Sequence, residues 1–187
     1  MDFSYLGTLS EGHDKNRILQ DLMEAHGSDV WNFAFSLTRQ TVMADDIRQD
    51  VFLKAFRKLE TFRGESSVKN WLLSITRHTA ADYQRKAFLR RVTLVGFVRS
   101  QEQAPSAEAS FWQEESMSEV WKAVLKLPVK LREVLVLYAH HQLAIAEIAG
   151  LLQLSESAVK VRLHRARKKV NAVFHEEEGD RDGKAWV

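Results

Sequence analysis

The stretch from Leu143 to Val170 constrains the chain most. LAIAEIAGLLQLSESAVKVRLHRARKKV sets two apolar-periodic helices around a short polar turn and loads the second with cations, the plan of a helix-turn-helix. Ile145, Ile148, Ala149 and Leu152 recur at helical spacing and make one inward stripe. Gln153 and Leu154 carry the turn. Ser155 can accept from a free backbone N–H of the second helix while Glu156 sits at the positive end of its dipole. Val159, Leu163, Ala166 and Val170 form the next inward stripe. Lys160, His164, Arg167 and Lys168 fall on one outer strip, with Arg162, Arg165 and Lys169 flanking it. Residues 155–170 hold six cations against the single anion Glu156. A helix that served only the fold would intersperse acids to relieve that repulsion. A solvated face is the bland alternative, but a basic helix behind a capped turn has the geometry that enters a major groove, with phosphates as neighbours.

Composition extends this to the whole chain. Two prolines and eight glycines in 187 residues, with no alternating apolar pattern of any length, predict an all-α fold. The net charge is only +2, but it is unevenly spread: twelve cations and six anions from Arg39 to Arg91, five glutamates and no cation from Gln101 to Glu119, five anions and two cations from Glu176 to Lys184. Two basic blocks parted by an acidic one predict two small helical domains joined by a flexible acidic linker. The expected boundaries are an arm over residues 1–14, a first domain over 15–95, a linker over 96–115, a second domain over 116–175 and an acidic tail over 176–187. The absence of cysteine excludes disulfides and thiolate chemistry. No stretch reaches the roughly 20 apolar residues of a membrane span, which makes the cytoplasm the expected setting.

Along the first domain, Ile18, Leu19, Leu22 and Met23 predict a helix that His26-Gly27-Ser28 ends. A second starts near Asp29 with Val30, Phe33, Ala34 and Leu37 inward. A third opens at Ala44 or Asp45, burying Ile47, Val51, Ala55 and Leu59, with Phe52, Phe56 and Phe62 widening the stripe. Asp46, Gln49, Asp50, Leu53 and Lys54 are left for another surface, although capping would also explain the acids. Phe62 to Ser67 reads as a loop, and Val68 opens a long helix with Lys69, Asn70, Arg77, His78, Tyr83 and Arg85 outward. Cations with one interleaved aromatic suit single-stranded nucleic acid, and equally an ordinary solvated helix. Phe111 and Trp112 interrupt the polar linker. Helices resume with Val120, Val124 and Leu127, stop at Pro128, and restart through Leu131, Val134, Leu135 and Tyr138.

The residues resemble the extracytoplasmic-function group of bacterial sigma factors over Ile18 to Arg91 and Met117 to Val173. ADDIRQDVFLKAFRKLETFRGESSVKNWLLSITRHTAADYQRK and LPVKLREVLVLYAHHQLAIAEIAGLLQLSESAVKVRLHRAR carry the likeness. It implies that Asp46, Gln49, Asp50, Phe52 and Lys54 grip the clamp coiled coil of the β′ subunit of core RNA polymerase. Arg63, Gly64, Glu65, Ser66 and Ser67, with Asn70, Arg77, His78, Asp82 and Arg85, would capture the unpaired −10 strand. Ser157, Lys160, Arg162, His164, Arg165 and Arg167 would read the −35 duplex. Core polymerase through its β and β′ subunits, promoter DNA and an anti-sigma protein are the implied partners, and no cofactor is implied. Three departures from the family pattern stand out: His78 for the usual Asn, Ser157-Ala158 for Gly-Thr, and Val161 for a Ser.

Two rivals remain at this level. A helix-turn-helix regulator acting without polymerase would leave the first basic block without a role. An enzyme would need a catalytic or metal-binding set, and the seven histidines show neither HxxxH nor HExxH spacing. His78 and Asp82, four residues apart, read as a side-chain pair rather than as metal ligands.

Overall fold

In the computed structural model, which describes residues 14–94 and 118–183, Asp14 opens the first helix. Its Oδ1 accepts from the backbone N–H of Asn16 at 2.9 Å and of Arg17 at 3.4 Å, as an N-cap does. The helix, α1 (Lys15–Thr38), ends where Arg39 turns left-handed and its N–H reaches the Phe35 carbonyl. One residue later α2 (Thr41–Lys58) begins, followed by a 3-10 turn at Leu59–Thr61. Gly64 takes a positive φ of 70° in the loop beyond it. Ser67 Oγ then caps α3 (Val68–Leu94) by accepting from the Asn70 N–H at 3.2 Å.

Each of these three helices packs on the other two. Leu22, Val30, Phe33, Ile47, Val51, Leu72 and Leu73 are wholly or almost wholly buried between them. Gln84 Nε2 donates to the Leu37 carbonyl at 3.0 Å and ties α3 to the end of α1. Lys15 pairs with Glu60 and ties the start of α1 to the 3-10 turn.

A second compact unit holds α4 (Glu119–Lys126), α5 (Val129–Ala139), α6 (Ile145–Leu152) and α7 (Glu156–Gly183). Ser118 caps α4, and Pro128 separates it from α5. Arg132 is buried at this elbow, where its Nη1 donates to the carbonyls of Leu125 at 2.7 Å and Leu127 at 3.0 Å. At the start of α6 the Glu147 carboxylate accepts from the Ala144 N–H at 2.8 Å. Helix α7 packs on α4, α5 and α6, burying Val159, Leu163 and Ala166.

Five expectations about helix limits and inward faces are overturned in part by the structure. His26-Gly27-Ser28 does not end a helix, because Leu22 and Val30 on either side are both fully buried. Burying such residues yields about 1.5–3 kcal/mol each, more than the roughly 1 kcal/mol a helical glycine costs. Helix α2 starts at Thr41, before Ala44, whose N–H already bonds the Gln40 carbonyl. Met23 and Val120 lie off the inward stripes, 49% and 56% exposed. Phe52, a docking residue by the family resemblance, is 3% exposed and belongs to the core, where its spacing places it. The backbone helix of α7 runs to Gly183 through most of the acidic tail. The expected linker over 96–115, with Phe111 and Trp112, lies outside the described residues, as do residues 1–13 of the arm.

A Cβ built on Gly27 meets nothing within 4 Å. Gly27→Ala should therefore stabilise the first unit by about 0.5–1 kcal/mol, seen as slower amide exchange across α1–α3 with α4–α7 unchanged.

Candidate nucleic-acid interface and protein-docking face

On α2 the core takes Ala44, Ile47, Val51 and Ala55, so the residues half a turn away face outward. Val42, Asp46, Gln49 and Leu53 run along that outer line, all exposed. Leu53 places an apolar side chain, 53% exposed, at the C-terminal end of that line, one turn beyond Asp50. Asp50 and Lys54 lie to one side and are half-buried because they reach α3. Tyr83 donates its hydroxyl to Asp50 Oδ2 at 2.9 Å, and Lys54 Nζ donates to Thr79 Oγ1 at 3.0 Å. Asp45 accepts from Trp31 Nε1 at 3.1 Å and pairs with Arg48 at 3.2 Å. It holds α2 against α1 and leaves Asp46 and Gln49 to the surface.

Helix α3 buries Leu72, Leu73, Thr76, Thr79 and Ala80 and turns Asn70, Arg77, His78 and Arg85 to the opposite side. The loop residues Arg63, Gly64, Glu65, Ser66 and Ser67 before it are all exposed, and Arg63 and Glu65 meet only loosely at 3.9 Å. His78 and Asp82 do not pair. The His78 ring nitrogen Nδ1 lies 2.7 Å from the Ser74 carbonyl, while Asp82 accepts from Arg85 at 2.8 Å. Tyr83 is not the outward aromatic, because its hydroxyl is engaged by Asp50 on the α2 side. The exposed ring on this helix is Phe88, 65% accessible. Lys69 turns back to pair with Asp29 at 3.1 Å.

In the second unit the turn has the expected form. Gln153 is left-handed, the Leu154 N–H reaches the Ala149 carbonyl at 2.9 Å, and Ser155 Oγ caps α7 through the Ala158 N–H at 3.2 Å. The cations of α7 divide into three directions. Arg162 leans inward and pairs with the buried Glu133 of α5 at 3.5 Å. Arg162 is thus partly drawn off the outward face. On the other flank Arg167 lies 5.1 Å from the centre of the Tyr138 ring, a cation–π distance. There Lys160, His164 and Arg167 border a shallow cavity of about 180 Å³ over Ile145 and Leu163. Between these flanks Ser157, Val161, His164, Arg165 and Lys168 point away from the core, all exposed.

The Sigma-70 region 2 family matches residues 22–89, and the Sigma-70, region 4 family matches residues 117–170. The ECF RNA polymerase sigma factor SigX of Bacillus subtilis is 33% identical over 156 residues, spanning 80% of this chain and 79% of that one. This chain belongs to the ECF sigma factors. RNA polymerase sigma factor YlaC of the same organism is 31% identical over 155 residues, 80% of this chain and 87% of that one. Among solved structures, CnrH in complex with the cytosolic domain of CnrY is similar to this sigma factor with a TM-score of 0.66 and 26% identity, over 92% of this chain and 97% of that one. The sigma factor RpoE bound to the anti-sigma factor NepR, from Bartonella quintana, shares the fold with a TM-score of 0.68.

Sequence reasoning missed four placements in this sigma factor. Arg132, Glu133 and His141 are charged or polar yet buried, and helical spacing would have shown the first two only if the pattern had been tested for inward charges. The fourth is Val161, the apolar residue at the centre of the outward face of α7. Among the described residues no cluster of three potential metal ligands occurs, and no helix is long and apolar enough to cross a membrane.

The contact between Tyr83 and Asp50 has a measurable signature. Burial first, then the hydrogen bond to Asp50 and the charges of Asp50 and Asp46, push the phenol from 10.0 up to about 12. The raised value means that the protonated phenol stabilises the fold. That contribution is complete below pH 10.0 and is lost as pH rises through about 12. Ultraviolet difference titration should place Tyr83 near that upper value and return it toward the ordinary range in Asp50→Asn. An unshifted phenol in the unaltered protein would contradict the contact.

Proposed function

We propose that this sigma factor docks on the β′ clamp coiled coil of core RNA polymerase through Asp46, Gln49, Asp50 and Lys54 of α2, with Leu53 among them. The Arg63–Ser67 loop and the face of α3 bearing Asn70, Arg77, His78, Asp82 and Arg85 capture the unpaired −10 strand. Ser157, Lys160, His164, Arg165 and Arg167 of α7 engage the −35 duplex, and Arg162 steadies the helix from its flank. Residues 15–95 and 116–175 act as the two working domains. The observation that carries this is that the two family matches fall on the two helical units, each of which turns a charged face outward that its own core does not use.

The division of labour follows from the chemistry of the two DNA forms. A duplex offers base edges in a groove that one helix fills. Melted DNA is favoured by a surface that offsets lost stacking and neutralises the backbone. The chain forms and breaks no bond in this role, and it acts in the cytoplasm, where the polymerase works. CnrH is bound to the cytosolic domain of CnrY and the Bartonella RpoE to the anti-sigma factor NepR in their solved structures, and an anti-sigma protein is the proposed regulator here. A regulator working without polymerase is disfavoured, because it gives the region 2 match and the α2 face no task.

The deciding experiment is in-vitro transcription with core polymerase on a genomic fragment library, followed by mapping of start sites. Initiation at discrete sites unused by the core enzyme is expected, and identical start sites with and without the chain would overturn the reading. Arg165→Ala should weaken −35 duplex binding by about 1–3 kcal/mol, the worth of a bidentate base contact. An unchanged footprint would place Arg165 in solvent only.

Docking is better tested at Leu53 than at Asp50, whose loss would also release Tyr83. Leu53→Gln should lower core affinity by about tenfold or more, from the apolar burial forgone, with helical content unchanged. Undiminished co-purification with core polymerase would exclude Leu53 from the docking face.

A further inference from the structure

At about 100° per residue, Val161 and Lys168 hold the positions on α7 most nearly opposite the buried stripe Val159, Leu163 and Ala166. Ser157 and Arg165 lie one turn before and one turn after Val161, with His164 beside Arg165 and Lys168 two turns on. Val161 is 49% exposed. Within residues 156–170 it is the large apolar side chain left exposed, and neither the core nor the helix asks for it there. The core is complete on the other side. A β-branched residue is also a poorer helix former than the lysines and arginines around it.

We infer that Val161 reads the 5-methyl group of a thymine in the −35 element. The inference rests on the proposed role of α7 as the duplex-binding helix and adds one specificity-determining residue to it. In the major groove the thymine methyl is the apolar feature among donors and acceptors, and apolar side chains are what recognise it. Val161 sits in the second turn, inside the half of a recognition helix that meets base edges. The flanks fix that orientation. Arg162 is held by Glu133 on one side and Arg167 by the Tyr138 ring on the other, so the helix presents the line from Ser157 through Val161 to Lys168. With an isopropyl group at its centre, this line contacts its base pair by shape and apolar burial, where a hydroxyl would offer a hydrogen bond.

The test uses the whole chain with core polymerase. Promoters are first selected from duplexes with a randomised −35 segment. Each thymine of the selected sequence is then replaced singly by deoxyuridine, which removes the methyl and nothing else. At one position the replacement should weaken open-complex formation about fourfold, the factor that one methyl's burial is worth. Val161→Ser, an exposed change that leaves the core intact, should lose the distinction at that position and keep it at every other. Three results overturn the inference: a selected segment without thymine, no position that senses the methyl, or the same sensitivity in Val161→Ser. If no −35 sequence is selected at all, the reading of α7 falls with it. Selection without methyl dependence removes this inference alone.

Discussion

Seating α7 by one apolar stripe fixes the direction of every cation on it. Val159, Leu163 and Ala166 are buried, and a rigid helix then has no freedom to rotate. Six cations on four turns repel one another, and that repulsion is tolerated because packing against three other helices outweighs it. Two of the cations also serve as props. Arg162 meets a buried carboxylate and Arg167 an aromatic face, and both sit where a tilt of the helix would strain them. Such a pair at half-buried depth contributes more to orientation than to stability, since desolvation offsets much of its attraction.

The first unit solves a different problem. Its α2 faces the core on one side and an expected partner on the other, and the groups between those sides are bonded to α3. Asp50 and Lys54 reach Tyr83 and Thr79, so the candidate docking face and the candidate strand-capturing helix share hydrogen bonds. The outer line from Val42 to Leu53 carries no such tie to α3 in these hydrogen bonds, and its exposed Val42 and Leu53 on either side of Asp46 and Gln49 suit a surface completed by another protein.

Much of this was legible in the sequence because amphipathic spacing is a local signal. The inward stripes of α2 and α7, the Ser155 cap and the turn at Gln153 and Leu154 all follow from residues within a few positions of one another, although the left-handed backbone of Gln153 does not. What escaped was tertiary. Gly27 read as a terminator because local spacing showed the stripes of Leu22 and Val30 separately, and only the shared core makes them one helix. Tyr83 read as a free ring because its partner lies 33 positions away. For Phe52 the spacing already gave the inward stripe, where the residue lies, while the family resemblance implied a docking role. Arg162 counted as one more outward cation because Glu133, which holds it, belongs to another helix.

The elbow between α4 and α5 shows what a buried arginine brings to a small helical domain. The carbonyls of Leu125 and Leu127 have no helical donor beyond Pro128, and the Arg132 guanidinium closes both. Because guanidinium keeps its proton at any acidity a cell meets, this latch cannot be titrated open. Its planar fork spans two acceptors where an ammonium would act as a point charge. The turn between α4 and α5 is therefore held by a group whose charge does not change with pH.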